Sequence, residues 1–344
     1  MASENFSYTK TGQTVRIDKV EQSGTVVVIP ERMEDCLVTE LGAYVLAGSN
    51  VEELHLPVQL KKIGAYGFYN CEKLKRLYCG SRAADLGAGL FAGAGGVEFL
   101  DFTLFEGERS CLKELLSELR QTLRVRIHLS KEGNTGGERV TEARLIFPEY
   151  FEESVENTPA RILYIETHGC GHRYRYCFAG TQFQYQEYDE LFPHVKVQEP
   201  EELVAELAMG RLQYPLGLTG RHEKMYREYV AKHWKMAGKL LLETDGRSKG
   251  RCGNLDPGGI PWLVREILDQ QQSQEEAALR PEVSDNNPAE KITLEEKLRE
   301  LTRMAQQAQD TETVAWLMDF RHQAGMQRRG LQETGARKKR RFEL

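Results

Sequence analysis

The sequence predicts an α+β multidomain fold: a short solenoid of strand-and-turn repeats, then a small mixed α/β region, then a helical C-terminal region. Two observations carry this. Between Val38 and Phe102 one short pattern is written three times. Beyond about Pro200 the apolar residues recur at helical rather than strand spacing.

The three copies open on Leu41-Gly42, Ile63-Gly64 and Leu86-Gly87, and each places a large apolar residue five positions later, at Leu46, Phe68 and Phe91. They close on Val51-x-x-Leu54-x-Leu56, Leu74-x-x-Leu77-x-Cys79 and Val97-x-x-Leu100-x-Phe102. Copies two and three are 23 residues apart at every equivalent position, and copy one is one residue shorter in its turn. A fixed period of this size with an L-x-x-L-x-L core is the signature of a leucine-rich solenoid. One strand and one turn cannot bury an apolar face alone. Stacked copies can, with Leu41, Ile63 and Leu86 in one row and Leu46, Phe68 and Phe91 in another.

The segments Val38-Thr-Glu-Leu-Gly-Ala-Tyr-Val-Leu46 and Ile63-Gly-Ala-Tyr-Gly-Phe-Tyr-Asn-Cys71, with the strand ending Leu56-Pro57, resemble BspA-type leucine-rich repeats. Units of that family carry an Ile-Gly-x-x-Ala-Phe-x-x-Cys core. Copy two matches it most fully, copy one lacks the cysteine, and copy three has Gly93-Ala94 in place of Asn70-Cys71. The resemblance spans residues 25 to 102. It implies the solenoid fold and a protein-binding role, and no chemistry.

Taken in order, Thr25-Val-Val-Val-Ile29 is a β-branched run stopped by Pro30, read as a strand and N-terminal cap of the solenoid. After Phe102 the period is lost. Leu112, Leu115, Leu116 and Leu119 have helical spacing, and three copies are close to the minimum for stability, so this segment is expected to pack against the open end. Leu123 to Leu129 alternates and reads as a strand, followed by a Gly133 to Gly137 loop; Ala143 to Phe147 and Arg161 to Thr167 are further strands. His172 to Phe178 also alternates, which makes Ile162 to Phe178 a hairpin turning at His168-Gly-Cys-Gly171. Glu201 and Glu202 start a helix behind Pro200, where acids suit the helix N-terminus. Thr219 to Leu242 keeps Tyr226, Tyr229, Val230, His233, Ala237 and Leu240 on one helical face. A Thr244 to Asn254 loop and a short helix near Pro261 follow. Residues 270 to 290 are glutamine-rich and broken by Pro281 and Pro288, which is linker composition. Thr293-x-x-Glu296 is a capping box opening a helix with Leu294, Leu298 and Leu301. A last helix after Asp310 carries Val314, Leu317 and Met318 and ends at Gly325. The division expected is 1–105 solenoid, 106–198 mixed α/β module, 199–269 helical region, 270–290 linker, 291–326 helical pair and 327–344 basic tail.

Composition narrows the function. At 344 residues with 40% apolar and 28% charged side chains the chain has ample core, and a net charge of −6 gives no general pull toward nucleic acid. Seven scattered cysteines read as reduced, buried thiols. Met1 to Pro30 has no basic stretch followed by an apolar one, and no run approaches the about 18 apolar residues of a membrane span, so a cytoplasmic protein away from membranes is expected.

Candidate sites follow. The exposed side of the repeat strands is expected to present His55, Arg76, Tyr78 and Asp101 to a protein partner. Gly87-Ala-Gly89 belongs to the repeat rather than to a dinucleotide turn, because it lacks a strand-turn-helix setting. His168, Cys170, His172 and Cys177 form the one cluster of soft metal ligands, on a glycine-hinged turn without a second ligand pair. Arg173 and Arg175 interleave with tyrosines, as a single-strand nucleic-acid surface would, and Arg337, Lys338, Lys339, Arg340 and Arg341 form a basic block. His222-Glu223 reads as solvated helix charge. No catalytic motif is present, and no cofactor is expected. The sequence thus points to a non-enzymatic scaffold binding a protein partner of unknown identity. Its alternatives are a nucleic-acid-associated protein using these arginines and the tail, or an enzyme with an unrecognised site in the middle region.

Overall fold

The structure, a computed structural model, describes residues 5–21, 24–130, 141–157, 162–243, 255, 259–271 and 292–323. The Gly133 to Gly137 loop, the Thr244 to Asn254 loop, almost all of the 270–290 linker, the helix end at Gly325 and the basic tail lie outside the described residues. The chain divides into two compact units, residues 1–224 and 225–344.

The first unit is built on two sheets made by the repeats. One contains β1 (Asn5–Thr11), β2 (Thr14–Glu21), β4 (Arg32–Met33), β5 (Cys36–Leu41), β7 (Lys62–Ile63) and β9 (Asp85–Leu86). The other runs β12 (Thr141–Phe147), β11 (Leu123–Ser130), β10 (Phe99–Phe105), β8 (Arg76–Gly80), β6 (Glu53–His55), β3 (Val26–Val28). All neighbours from β3 to β11 are parallel, and their register puts Val27, Leu54, Leu77, Leu100 and Val125 in a single row, each almost fully buried. The opposite sheet aligns Ile17, Leu41, Ile63 and Leu86. The expected row of Leu41, Ile63 and Leu86 is therefore present and extends one strand further, to Ile17. The Phe68 and Phe91 rings meet with centroids 5.4 Å apart, tilted by 45°.

The turns between the sheets are bonded rung to rung, with Leu46 N–H donating to Gly67 O at 2.9 Å and Phe68 N–H to Leu90 O at 3.1 Å. Rungs sit so close at Gly64 and Gly87 that an added Cβ would come within 2.4 and 2.2 Å of the backbone nitrogens of Ala43 and Ala65. That is why these positions are glycine. Two turn positions require left-handed backbone: Tyr44, Tyr66 and Gly89 at one (φ +56°, +55°, +63°), Gly48, Asn70 and Gly93 at the other (+68°, +55°, +78°). The change from Asn70 to Gly93 thus keeps the geometry of the turn.

The solenoid ends differently from the sequence reading. At the start, β1 and β2 form an antiparallel hairpin around Gly12, unforeseen in the sequence, and cap the first sheet. At the far end α1 (Leu112–Glu118) replaces the next strand and turn: Cys111 and Leu115 face the same apolar space as Leu77, Cys79 and Phe91. β11 then lies parallel to β10 as one more rung, and antiparallel β12 closes the sheet. The expectation that this segment packs on the open end holds.

The hairpin expected at 162–178 is corrected. β14 (Ile162–His168) pairs with β13 (Phe151–Asn157), and Gly171–Tyr174 forms a short helix, α2, so the second half is not a strand. The period-two pattern of 172–178 is not a strand's burial pattern: Tyr174, Arg175 and Cys177 are buried in a helical turn and its exit, while Tyr176 is exposed. β15 (Phe178–Ala179) and β16 (Gln182–Phe183) make a small ladder. Two short helices unforeseen in the sequence follow, α3 (Tyr185–Glu190) and α4 (Phe192–Gln198), burying Tyr188, Phe192 and Val195. α5 (Glu201–Gln213) begins at Pro200 as expected and packs on β12.

The single helix expected over Thr219 to Leu242 is broken into α6 (Gly220–Lys232) and α7 (Trp234–Glu243), and the division between units falls inside α6. In the second unit Tyr226, Val230, Ala237 and Leu240 are buried on the expected face, while Tyr229 and His233 are half-buried and stack at 4.2 Å. α8 (Ile260–Trp262) runs into a π-helical turn, Leu263–Asp269. Thr293 caps α9 (Leu294–Gln307) with both capping-box bonds formed, and the added Cβ at Gly238 of α7 would lie 2.6 Å from Leu301 Cδ2, so these helices cross closely. The last helix, 311–323, buries Leu317 but exposes Met318. No helix among the described residues is long and apolar enough to cross a membrane.

Candidate functional site

Side chains alternate along a strand, so the residues between the buried rows of the second sheet point outward. Register places Val28, His55, Tyr78, Asp101, Arg126 and Arg144 in one outward row, and Val26, Glu53, Arg76, Phe99, Arg124 and Ile146 in the next. Three of the sequence-predicted residues, His55, Tyr78 and Asp101, therefore occupy adjacent strands in one row, with Arg76 beside them; all four are half-buried.

These groups are already organised. The His55 and Tyr78 rings stack at 4.0 Å, 6° from parallel. Arg76 Nε donates to Glu53 Oε2 at 2.6 Å, and His55 Nε2 lies 2.7 Å from the other oxygen. Burial pushes the Glu53 carboxyl up, but the hydrogen bonds from His55 and Arg76 and the charge of Arg76 outweigh it and hold the pKa below its ordinary value. Further along, Asp101 receives Arg126 at 3.6 Å and His128 at 3.2 Å, and Arg126 lies over the Phe99 ring. Glu142 carries the chain on, 3.3 Å from Arg126 and 2.6 Å from Arg144. The face is thus a ladder of acid, base and ring held by its own contacts.

The far end of this face is covered. Arg124 makes a bidentate pair with Glu206 of α5 at 2.6 and 2.7 Å, and Arg144 packs over Tyr214. At the other end Val26 and Val28 are about half exposed on the edge strand. Sequence reasoning missed Glu53, Phe99, Arg126 and His128. Glu53 and Phe99 lie one repeat step either side of Arg76 and were legible from the period; Arg126 and His128 were not, because β11 falls outside it.

A second aromatic group stands on the turns. Tyr44 and Tyr66 occupy the same left-handed turn position in successive copies and stack at 5.3 Å, with Tyr69 edge-on to both. All three are exposed. Their spacing of 22 residues was the available signal.

The metal candidates come near one another without forming a ligand set. Cys170 is buried, and its thiol donates to Glu199 Oε1 at 3.3 Å; burial, that hydrogen bond and the Glu199 charge push its pKa to about 12. Cys177 is buried and donates to Arg173 O, His172 lies between the Tyr150 and Tyr176 rings, and His168 stacks on Phe151. Among the described residues no three His, Cys, Asp or Glu converge as metal ligands. His172 and exposed Arg173 instead line a cleft of about 450 Å³ with Thr167 and His194.

Of the nucleic-acid candidates, Arg175 is 2% exposed and inaccessible to a phosphate. It donates to the carbonyls of Leu119, Pro148, Gly171 and Gln121, tying α1, β12 and α2 together, and burial lowers its pKa to about 10. Residues 337–341 lie outside the described residues. His222, read as solvated, is buried with Nδ1 3.0 Å from Thr219 Oγ1 and Nε2 3.2 Å from Glu190.

Comparison with known proteins agrees with the repeat geometry. Residues 33–106 match the family described as BspA type leucine rich repeat region (6 copies). Such repeats are commonly protein-interaction modules. The crystal structure of a leucine-rich repeat protein of T. pallidum is similar at 19% identity and a TM-score of 0.24, covering 35% of this chain and 67% of that one. No curated protein matches the chain.

Proposed function

We propose that this chain, whose residues 33–106 form a BspA-type leucine-rich repeat region, is a non-enzymatic scaffold that binds a protein partner through the outer face of its parallel sheet. The observation that carries the reading is the outward row His55, Tyr78, Asp101 with Arg76 and Glu53 beside it. Its side chains are held by stacking and ion pairs, so little rotamer entropy remains to be lost on binding. Mixed charge around a ring pair suits a partner surface with complementary charges and an aromatic or apolar anchor. The six described cysteines are buried and unpaired, which supports a reducing, cytoplasmic setting.

The test is affinity capture from the source cells with the intact protein and with Arg76→Glu/Tyr78→Ala. A stoichiometric protein partner is expected with the first and lost with the second, while Lys73→Glu, on an exposed turn, retains it. Capture of no partner by the folded wild type, or equal capture by both variants, rejects the reading.

A further inference from the structure

The hairpin β13–β14 stands apart from the two repeat sheets of the first unit. It is a sheet of two strands only, so among the described residues each has an edge that no further strand pairs with. Apart from Val155 and His168, its side chains from Phe151 to Glu156 and from Leu163 to His168 are exposed. Among them Leu163 is 73% exposed and Ile165 67%, both in one outward row beside Ser154 and Glu156. A lone two-stranded ladder is marginal in water, and an exposed apolar edge strand is a template for further pairing.

Its charge is one-sided. The two strands carry Glu152, Glu153, Glu156 and Glu166 and no lysine or arginine. Glu153 and Glu166 are directly opposite each other in the register, an arrangement that destabilises a ladder through like-charge repulsion. Glu152 is answered by Arg120 at 3.0 Å, and Glu153 is 3.4 Å from His168, which leaves the acidic balance of the hairpin in place.

We propose that this hairpin is a second interaction surface, distinct from the repeat face, which takes an extended basic segment of a partner protein as a third strand. Main-chain bonds to a free edge supply the register, as in other strand additions. Alternating apolar side chains of the incoming strand cover Leu163 and Ile165, and its lysines or arginines sit against Glu153 and Glu166. The charges choose the occupant: a second copy would bring four glutamates against four, whereas a basic strand relieves the repulsion already present.

The probe is a fluorescein-labelled peptide of alternating lysine and valine, Lys-Val-Lys-Val-Lys-Val, titrated into the full chain and followed by anisotropy and hydrogen exchange. Expected are saturable binding, protection of amides in Phe151–Asn157 or Ile162–His168, weakening with salt, and at least a tenfold loss of affinity in Glu153→Lys/Glu166→Lys. These side chains are exposed, so circular dichroism should report an unchanged fold for that variant; Ile165→Ser provides a second, uncharged test and should also weaken binding. Equal binding of a Glu-Val peptide, unchanged affinity in both variants, or absence of amide protection in the hairpin overturns the proposal. So does concentration-dependent dimerisation that protects the same amides without peptide.

Discussion

At the turn position shared by Gly48, Asn70 and Gly93 the backbone is left-handed in every copy, and this one dihedral decides which residues the turn accepts. Glycine enters this region freely, asparagine tolerates it, and a β-branched residue does not. Asn70→Val should therefore lower stability by about 1–2 kcal/mol or more, while Asn70→Gly stays close to wild type. Urea unfolding of the two variants checks this, and equal losses would show that the side chain of Asn70, not its backbone, holds the turn. Gly64 and Gly87 show a different constraint at the same scale, since their neighbours' backbones occupy the space of a Cβ. Gly64 and Gly87 were legible in the sequence as repeated glycines, whereas the positive φ shared by Gly48, Asn70 and Gly93 emerges only from coordinates.

The elements after the repeats are joined by buried polar groups. Asp189 of α3 and Arg211 of α5 form a bidentate pair at 2.9 and 3.0 Å with both side chains fully buried. Arg211 also donates to the carbonyls of Tyr214 and Leu216, and Tyr188 accepts from the Ile146 amide while donating to its carbonyl. Asp189→Asn removes one charge and leaves the other in the core, so it should cost about 3–5 kcal/mol, whereas Asp189→Leu/Arg211→Met should recover much of that loss. Thermal denaturation of the single and double variants measures it, and a single variant within ~1 kcal/mol of wild type would contradict the pairing as a structural pin. In the sequence Asp189 and Arg211 look like ordinary surface charges. α3 and α4 escaped notice for a related reason: Tyr188, Phe192 and Val195 have helical spacing, but the helices are only 6 and 7 residues long, with Pro193 at the junction.

At the scale of the molecule the repeat sheet does not stop where the repeats do. Leu100 and Phe102 are fully buried on β10, whose far edge is paired by β11, while α1 adds Leu115 to the apolar space around Leu77 and Phe91; removing both would uncover the end of the core and the edge of β10. A fragment of residues 1–105 is therefore expected to lack a cooperative unfolding transition, while 1–224 retains one; circular dichroism against temperature distinguishes them, and cooperative melting of the shorter piece would disprove the dependence. The sequence by itself determined the repeat period, the inward rows and hence the outward positions of His55, Arg76, Tyr78 and Asp101, because each rung is placed by the one before it and a periodic pattern carries that information locally. Only the tertiary structure decided that Leu123 to Leu129 is a further rung, that β14 pairs with β13 rather than with residues 172–178, and that Arg175 is buried instead of exposed. Those outcomes rest on contacts such as Arg175 with the carbonyl of Leu119, 56 residues away, and a strand's alternation fixes which side chains face inward without naming the strand it will pair with.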